Sequence, residues 1–477
     1  MATQTPAAVI ALRRFGLGAR PGELARIAAD PRGALLATLS QPKAALLDDL
    51  DLDTSETLMA NVQLANEQRK LQREAAQDAM REAKNVPFPG SRTKPAAGDA
   101  TMAKPGRLRA EIYQLEAAVR FERLVTTETA LLERLVMFWS NHFCVSIAKG
   151  PVRAIAGAFE REAIRPHVLG RFADMLVAVE RHPAMLIYLD NQLSIGPNSV
   201  AGRNRDKGLN ENLAREILEL HTLGVDGGGY GQMDVTNFAR IIAGWSVSGL
   251  NHPTEPPGRF VYMPQRREPG EWPVAGRTYR NTGSETGIEV LQDLARHPST
   301  ARNIARRLAR AFVSENAPPS LVGRLEETFR RTDGDLGELA RTLVRSEEAW
   351  AETRPKVVPP NDFLISLVRG LPMTERPRSQ EIVRLSNQLG QPLWNVPSPK
   401  GWPDEDLAWA SPSAMRERLR IAEMAAQRVP RDVDARTLAG DLFGASLSGA
   451  TRDAIARSET REQGLVLLAM SPEFQRR

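Results

Sequence analysis

Apolar positions recur every three to four residues along most of the chain, a spacing that predicts helix after helix. Between 108 and 125 the period runs through Leu108, Ile112, Leu115, Val119 and Leu124. Similar patterns predict helices at about 128–143, 151–164, 168–181 and 183–190, then several between 285 and 344, and one at 361–369. Residues 21–39 read as two short helices broken at Asp30-Pro31. The stretch 54–85 is heavily charged and is expected to be a solvated helix or a coiled-coil-like arm. Residues 86–106, rich in Pro, Gly, Ala and Thr, are expected to form a flexible loop.

Strand-like alternation is sparse. It concentrates in 259–279, with turn candidates at Pro269-Gly270 and Ala275-Gly276, and predicts one small hairpin. The stretch 390–404, GQPLWNVPSPKGWPD, reads as a rigid extended segment that packs over a core or lines a cleft. The expected fold is mainly α, a multi-helical globular protein with a small β-hairpin insertion near 259–279. Its organisation is read as an N-terminal helical region with a charged arm (1–85), a loop (86–106), a central helical core (107–255), the hairpin insertion (256–284) and a C-terminal helical region (285–477).

One predicted helix is far more polar than its apolar neighbours. Residues 209–224 read LNENLAREILELHTLG. At about 100° per residue, Glu211, Arg215, Glu219, Asn212 and Glu216 fall on one face. His221 falls on the other side, near about 280° from Glu211, so it diverges from the glutamates. Polar groups packed against apolar neighbours need partners or a ligand. One reading is an internal salt-bridge layer in which Arg215 joins Glu211 and Glu219. The other is a site that binds a polar substrate through Glu211, Asn212, Arg215 and Glu219, with Glu216 as the catalytic carboxylate.

Other segments offer candidates. In FWSNHF (138–143), His142 suits a general acid or base and Asn141 an orienting or oxyanion-type donor, with Trp139 as a substrate contact. The plainer reading of that segment is core packing around a hydrogen-bonded histidine. Asp190 and Asn191 end a helix; they either serve turn chemistry or face the substrate opposite the glutamate stripe. His182-Pro183 reads as a helix boundary. The glycines between 224 and 231 are a weak anion-cradle signal, because no P-loop or dinucleotide pattern accompanies them. Arg302, Arg306 and Arg310, with Arg307 on the edge, line one face of a helix. That face is solvated, or pairs with the acidic stripe, or binds an anion such as a carboxylate or phosphate.

Composition narrows the classes. Over 477 residues, Lys and Arg exceed Asp and Glu by 63 − 58 = 5, too little to argue for nucleic acid. The single cysteine, Cys144, excludes an internal disulfide and a multi-cysteine zinc site, and it reads as a small buried residue. No metal and no cofactor is expected, although hard cations could still use Asp190 and the glutamates. No run approaches the roughly 18 apolar residues of a membrane span, and the N-terminal stretch lacks signal-peptide features. A cytoplasmic location is expected by default, with no membrane partner.

Taken together, several segments resemble the bacterial family called domain of unknown function 1800. They are RRFGLGA, FWSNHF, HPAMLIYLDN, NENLAREILELHTLGVDGGGY, DVTNFARIIAGW, LARHPSTARNIARRLARAFV, TDGDL and PSPKGWPD, which between them span nearly the whole chain. The resemblance implies a fold but no agreed activity. It also implies a pathway link to an adjacent, exported family related to sulfatases. Family members commonly carry histidines where this chain has Arg267, Asn303 and Ala311. The leading functional expectation is a cleft of acid–base residues acting on a small polar substrate by hydrolysis or transfer. The alternative is a non-catalytic binding or assembly protein whose charged stripes are structural ion-pair networks.

Overall fold

Helices carry the architecture, as the apolar spacing requires. The computed structural model describes residues 6–47, 51–84, 105–203, 208–225, 228–249, 256–353 and 355–477. Among the described residues, strands form only two small two-stranded antiparallel sheets. The residues expected to form a loop at 86–104 lie outside the described set. Pro105 and Gly106 instead open the helix Pro105–Thr126, where a proline in the first turn loses no hydrogen bond.

Two large apolar cores organise the chain. The first gathers buried residues from Ile10 to Trp350, including Trp139, Phe143, Phe172, Ile217, Phe238, Ile304 and Phe312. The second joins Ala8, Val9 and Leu12 to the helices Pro360–Gly370, Pro412–Gln427, Ala435–Phe443 and Arg461–Ala469. The N-terminal RRF segment thus touches both. Arg14 donates to the carbonyls of Ala349 (2.6 Å) and Ala351 (2.9 Å), and Arg13 donates to the carbonyl of Phe474. These buried guanidiniums satisfy main-chain oxygens that water cannot reach.

Helix ends follow local chemistry. Asp335, Ser411 and Asp434 accept from N–H groups of the first turn, each satisfying a donor the helix leaves free. Two His-Pro steps do the same with a ring nitrogen. His182 Nδ1 accepts from Ala184 N and His297 Nδ1 from Ser299 N, each at 3.1 Å. The charged helix Ser55–Lys84 packs through Leu58, Met59 and Val62, and beyond Glu67 almost every described side chain is exposed.

The region 259–279 differs from the single hairpin expected. Phe260–Tyr262 pairs backwards with Trp245–Val247. Trp245 and Val247 are buried, and pairing satisfies their backbone groups inside the core. The second ladder joins Glu271–Val274 to Arg277–Arg280. Its two-residue turn, Ala275-Gly276, has φ of 47° and 83°, the doubly positive geometry that matches strand twist. Pro269-Gly270 connects the two sheets and closes no hairpin.

The polar helix also departs from a single regular α-helix. Asn212–Glu216 is α-helical, but Ile217–His221 is a π-helical turn. Thr222 Oγ closes on the carbonyl of Ile217 at 2.6 Å, and Gly224, at φ 87°, ends the turn. Such turns widen the spiral and re-aim the residues that follow.

Candidate functional site

A partly enclosed cavity of about 140 Å³ lies where four segments distant in sequence meet. The helix Ala130–His142 contributes Phe138, Ser140 and Asn141, with Cys144 just beyond its end. The helix Pro298–Phe312 contributes Arg307, Ala311 and Phe312. The proline-rich stretch adds Gln391, Leu393, Trp394, Val396, Trp402, Pro403 and Asp404, which makes it the cleft-lining segment its composition suggests. Pro359, Asn361 and Asp362 close the far side, beside Arg120, Arg134 and Arg477.

Asn141 holds this wall in place. Its Nδ2 donates to the carbonyl of Trp402 (3.0 Å), and its Oδ1 accepts from Trp402 N (2.8 Å). The adjoining Gly401 has φ 84°, and a Cβ there would stand 2.5 Å from the Asn141 carbonyl oxygen. Only glycine lets the two strands of chain approach so closely. Lys356 Nζ donates to the Asp404 carbonyl at 2.9 Å, which fixes the end of the segment.

The charged wall residues fall into two groups. Arg120 pairs with Glu160 at 2.7 Å, and Arg134 and Arg477 share the carboxylate of Asp362 at 2.9 and 3.1 Å. Behind them Arg165 bridges Glu133 and Glu160. Arg307 is different. Its one hydrogen bond is a 3.4 Å contact to the Leu220 carbonyl, and among the described residues no carboxylate lies within ion-pair reach. Burial lowers its pKa, with the charge of Asp404 opposing that shift. Burial raises the carboxyl pKa of Asp404, against the attraction of Arg307, Lys356 and Arg310. The Cys144 thiol donates to the Pro399 carbonyl at 3.2 Å, and burial pushes its pKa up to about 12, so it stays protonated.

The residues expected to form a site are distributed over several places. Asn141 lines the cavity. His142, 1% exposed, lies behind it among Phe138, Trp139 and Phe143. Its Nε2 faces the carbonyl of His221 at 3.1 Å, and its Nδ1 is buried with no partner. Burial first, then the charges of Arg307 and His221, hold its pKa well below the usual range, so the ring is neutral with its proton on Nε2. Trp139 is core.

Glu216 is partly buried, and burial chiefly raises its pKa. Its charge is felt at Cys144 and Tyr188. Glu211, Arg215 and Glu219 form a partly exposed network, with Arg215 at 3.0 Å from Glu211 and 3.6 Å from Glu219. Gln232 and Thr236 complete it. Asn212 is exposed. Asp190 pairs with Lys149. Asn191 is fully buried and ties Ile242 and Trp245 through their carbonyls.

Sequence reasoning named Arg307 only as the edge of an arginine stripe, and it missed Asp404 and a second buried pair. Arg307 stood at the edge of its arginine stripe, next to the apolar face formed by Ile304 and Leu308, which was the one signal available. Asp404 gave none, because its partners lie about a hundred residues away. His221 Nδ1 donates to Glu180 at 2.7 Å, and both are at most 1% exposed. Asn303 donates to the Thr222 carbonyl at 2.8 Å, Arg267 donates to the Asn281 carbonyl, and Ala311 lines the cavity. Among the described residues, no group of three or more His, Cys, Asp or Glu side chains could hold a metal ion.

The fold and cavity define a mainly helical protein with an arginine-rich pocket walled in part by the FWSNHF and PSPKGWPD segments. The chain belongs to the family described as Protein of unknown function (DUF1800), whose model matches residues 10–476. No curated protein and no solved structure matches it. Among the described residues, no helix is long and apolar enough to cross a membrane.

Proposed function

We propose that the cavity is a small-molecule site and that the protein is an acid–base enzyme acting on a small polar substrate by hydrolysis or transfer. The observation that carries this reading is the presence of Arg307 and Asp404, unpaired with each other, on one cavity of about 140 Å³. Asp404 holds its proton to higher pH than an ordinary carboxyl, which suits it to give a proton to a leaving group and take one back. Arg307 stabilises negative charge that develops on a substrate oxygen in a poorly solvated place. Asn141 positions the wall that carries Asp404. Glu216, also shifted toward its protonated form, is a second proton carrier that lies off the cavity lining, and neutral His142 is buried behind Asn141.

A second reading, a non-catalytic binding protein, draws support from the 211–219 stripe, whose carboxylates are already matched to Arg215, Gln232 and Thr236. Turnover separates the two. The purified protein is incubated with a pool of small metabolites and followed by mass spectrometry, with Asp404→Asn as control. Depletion of a compound by the wild type and not by Asp404→Asn supports the enzyme. Equal depletion by both removes Asp404 from the chemistry, and none by either favours the non-catalytic reading.

A further inference from the structure

We propose that Arg307 is an anion anchor, and that the cavity takes a small oxyanion or carboxylate of about five to eight heavy atoms. The proposal rests on the small-molecule reading of the cavity and specifies its ligand class. Every other arginine on the wall has a carboxylate: Arg120 has Glu160, and Arg134 and Arg477 have Asp362. Among the described residues, Arg307 has only the long contact to Leu220. Arg307 is half-buried, so an anion entering the cavity meets a partly desolvated guanidinium that no carboxylate already occupies.

Other polar atoms on the wall also lack a hydrogen bond, Nε of Arg477 among them. The indole Nε1–H of Trp394 and the side-chain oxygen of Asn361 are buried and make no hydrogen bond. Both line the same cavity. Buried polar groups without partners are rare enough that each calls for an explanation. Trp394 is also held at φ 49°, a left-handed conformation that is strained for so bulky a residue. Its carbonyl accepts from Ile147 N at 2.8 Å, and this contact helps keep the ring at the cavity. The set therefore offers a guanidinium and an N–H to an anionic oxygen pair, and an amide oxygen to a ligand hydroxyl or amine.

Size limits the ligand. A cavity of about 150 Å³ accepts benzene, with its six heavy atoms, and this one measures about 140 Å³. Inorganic phosphate and sulfate fit that volume, as do acetate and glycolate. The larger anions of nucleotides do not.

The test is calorimetric titration of the full chain with sodium phosphate, sodium sulfate, acetate, glycolate and, as a neutral probe, glycerol, at constant ionic strength. The expected result is saturable binding of at least one anion, weakened about thirtyfold or more in Arg307→Met. Trp394→Phe, which removes only the indole N–H, should weaken the same anion several-fold. If phosphate and sulfate bind and the carboxylates do not, the ligand is an inorganic or phosphoryl anion; the reverse assigns it to the carboxylic acids. Ala311→Phe, which fills the cavity and spares Arg307, should abolish binding. If glycerol binds the wild type but not Ala311→Phe while no anion binds, the anion class is overturned and the cavity reading stands. If no probe binds, or if anions bind Ala311→Phe as well as wild type, both are overturned. Equal anion affinity in wild type and Arg307→Met overturns the role of Arg307.

Discussion

Replacing Arg307 by methionine should stabilise the empty protein. Methionine keeps an unbranched chain of similar reach and removes the charge. The guanidinium returns little to the fold, since its one hydrogen bond is long and no carboxylate neutralises it. Removing a buried ion typically releases several kcal/mol of desolvation cost, and apolar replacements of buried ionic groups gain about 1–4 kcal/mol. Arg307 is only half-buried, and the Leu220 carbonyl loses its weak donor, so the net gain is placed in the lower part of that range, at about 1–3 kcal/mol. Unfolding entropy is about 2.1 cal/mol/K per residue, hence about 1 kcal/mol/K for 477 residues. The melting temperature should therefore rise by about 1–3 °C if both cores unfold together. If they unfold separately, the shift is larger and belongs to the transition of the first core, which holds the helix Pro298–Phe312. Thermal melts in an anion-poor buffer, checked by urea titration, measure it. A melting temperature lowered by a similar amount would mean that Arg307 is a structural cation, and the reasoning would fail.

Three other expectations follow from the same geometry. The Arg215 pairs are partly exposed, with side chains 28–35% accessible, so Arg215→Ala should cost only about 0.5–1 kcal/mol in urea melts; a loss above about 2 kcal/mol would show a tighter network than the distances suggest. Arg165, by contrast, lies in the core between Glu133 and Glu160, and Arg165→Met should cost about 3–5 kcal/mol because two buried carboxylates lose a shared cation; a loss below about 1 kcal/mol would show that Arg120 and Arg123 suffice to hold them. Burial raises the folded pKa of Glu216 above its ordinary 4.5, so its contribution to stability is full below that value and is lost as pH rises through the folded value. The advantage of Glu216→Gln over wild type should grow between pH 4 and pH 7 in paired melts, and a constant difference would contradict the burial argument.

Much of the helical framework was legible because it is local. The face formed by Ala301, Ile304, Ala305, Leu308 and Phe312 is buried throughout, and its period alone defined it. The contacts of Arg215 with Glu211 and Glu219 follow from four-residue spacing. What escaped was non-local or depended on backbone detail. Trp245–Val247 reads as the tail of a helix, and its strand character comes from a partner 15 residues later. The π-helical turn at Ile217–His221 leaves no mark in a 3.6-residue pattern. Asp404 and Arg307 line one cavity because Asn141, Gly401 and Lys356 fix the proline-rich segment against two helices. The site was sought on the most polar helix, where charges answer one another, and the strongest candidate stands where one does not.

The fully buried guanidiniums make an instructive contrast with half-buried Arg307. Arg369 donates to the carbonyls of Gly18, Leu124, Val125 and Thr127 and to Glu23. Arg418 is bound to Gln475 and to the Val358 carbonyl, each at 2.7 Å. Arg14 holds successive carbonyls near residue 350. These side chains act as clamps, each with acceptors on its terminal nitrogens. Arg307, half-buried, instead faces the cavity with one long contact and no carboxylate in reach among the described residues. An unneutralised charge on a cavity wall is a cost carried in the empty state and recovered when an anion binds, the usual relation between a binding site and the stability it gives up. That is why the stability gain expected for Arg307→Met and its expected loss of anion affinity must appear in the same variant; either one without the other breaks the argument.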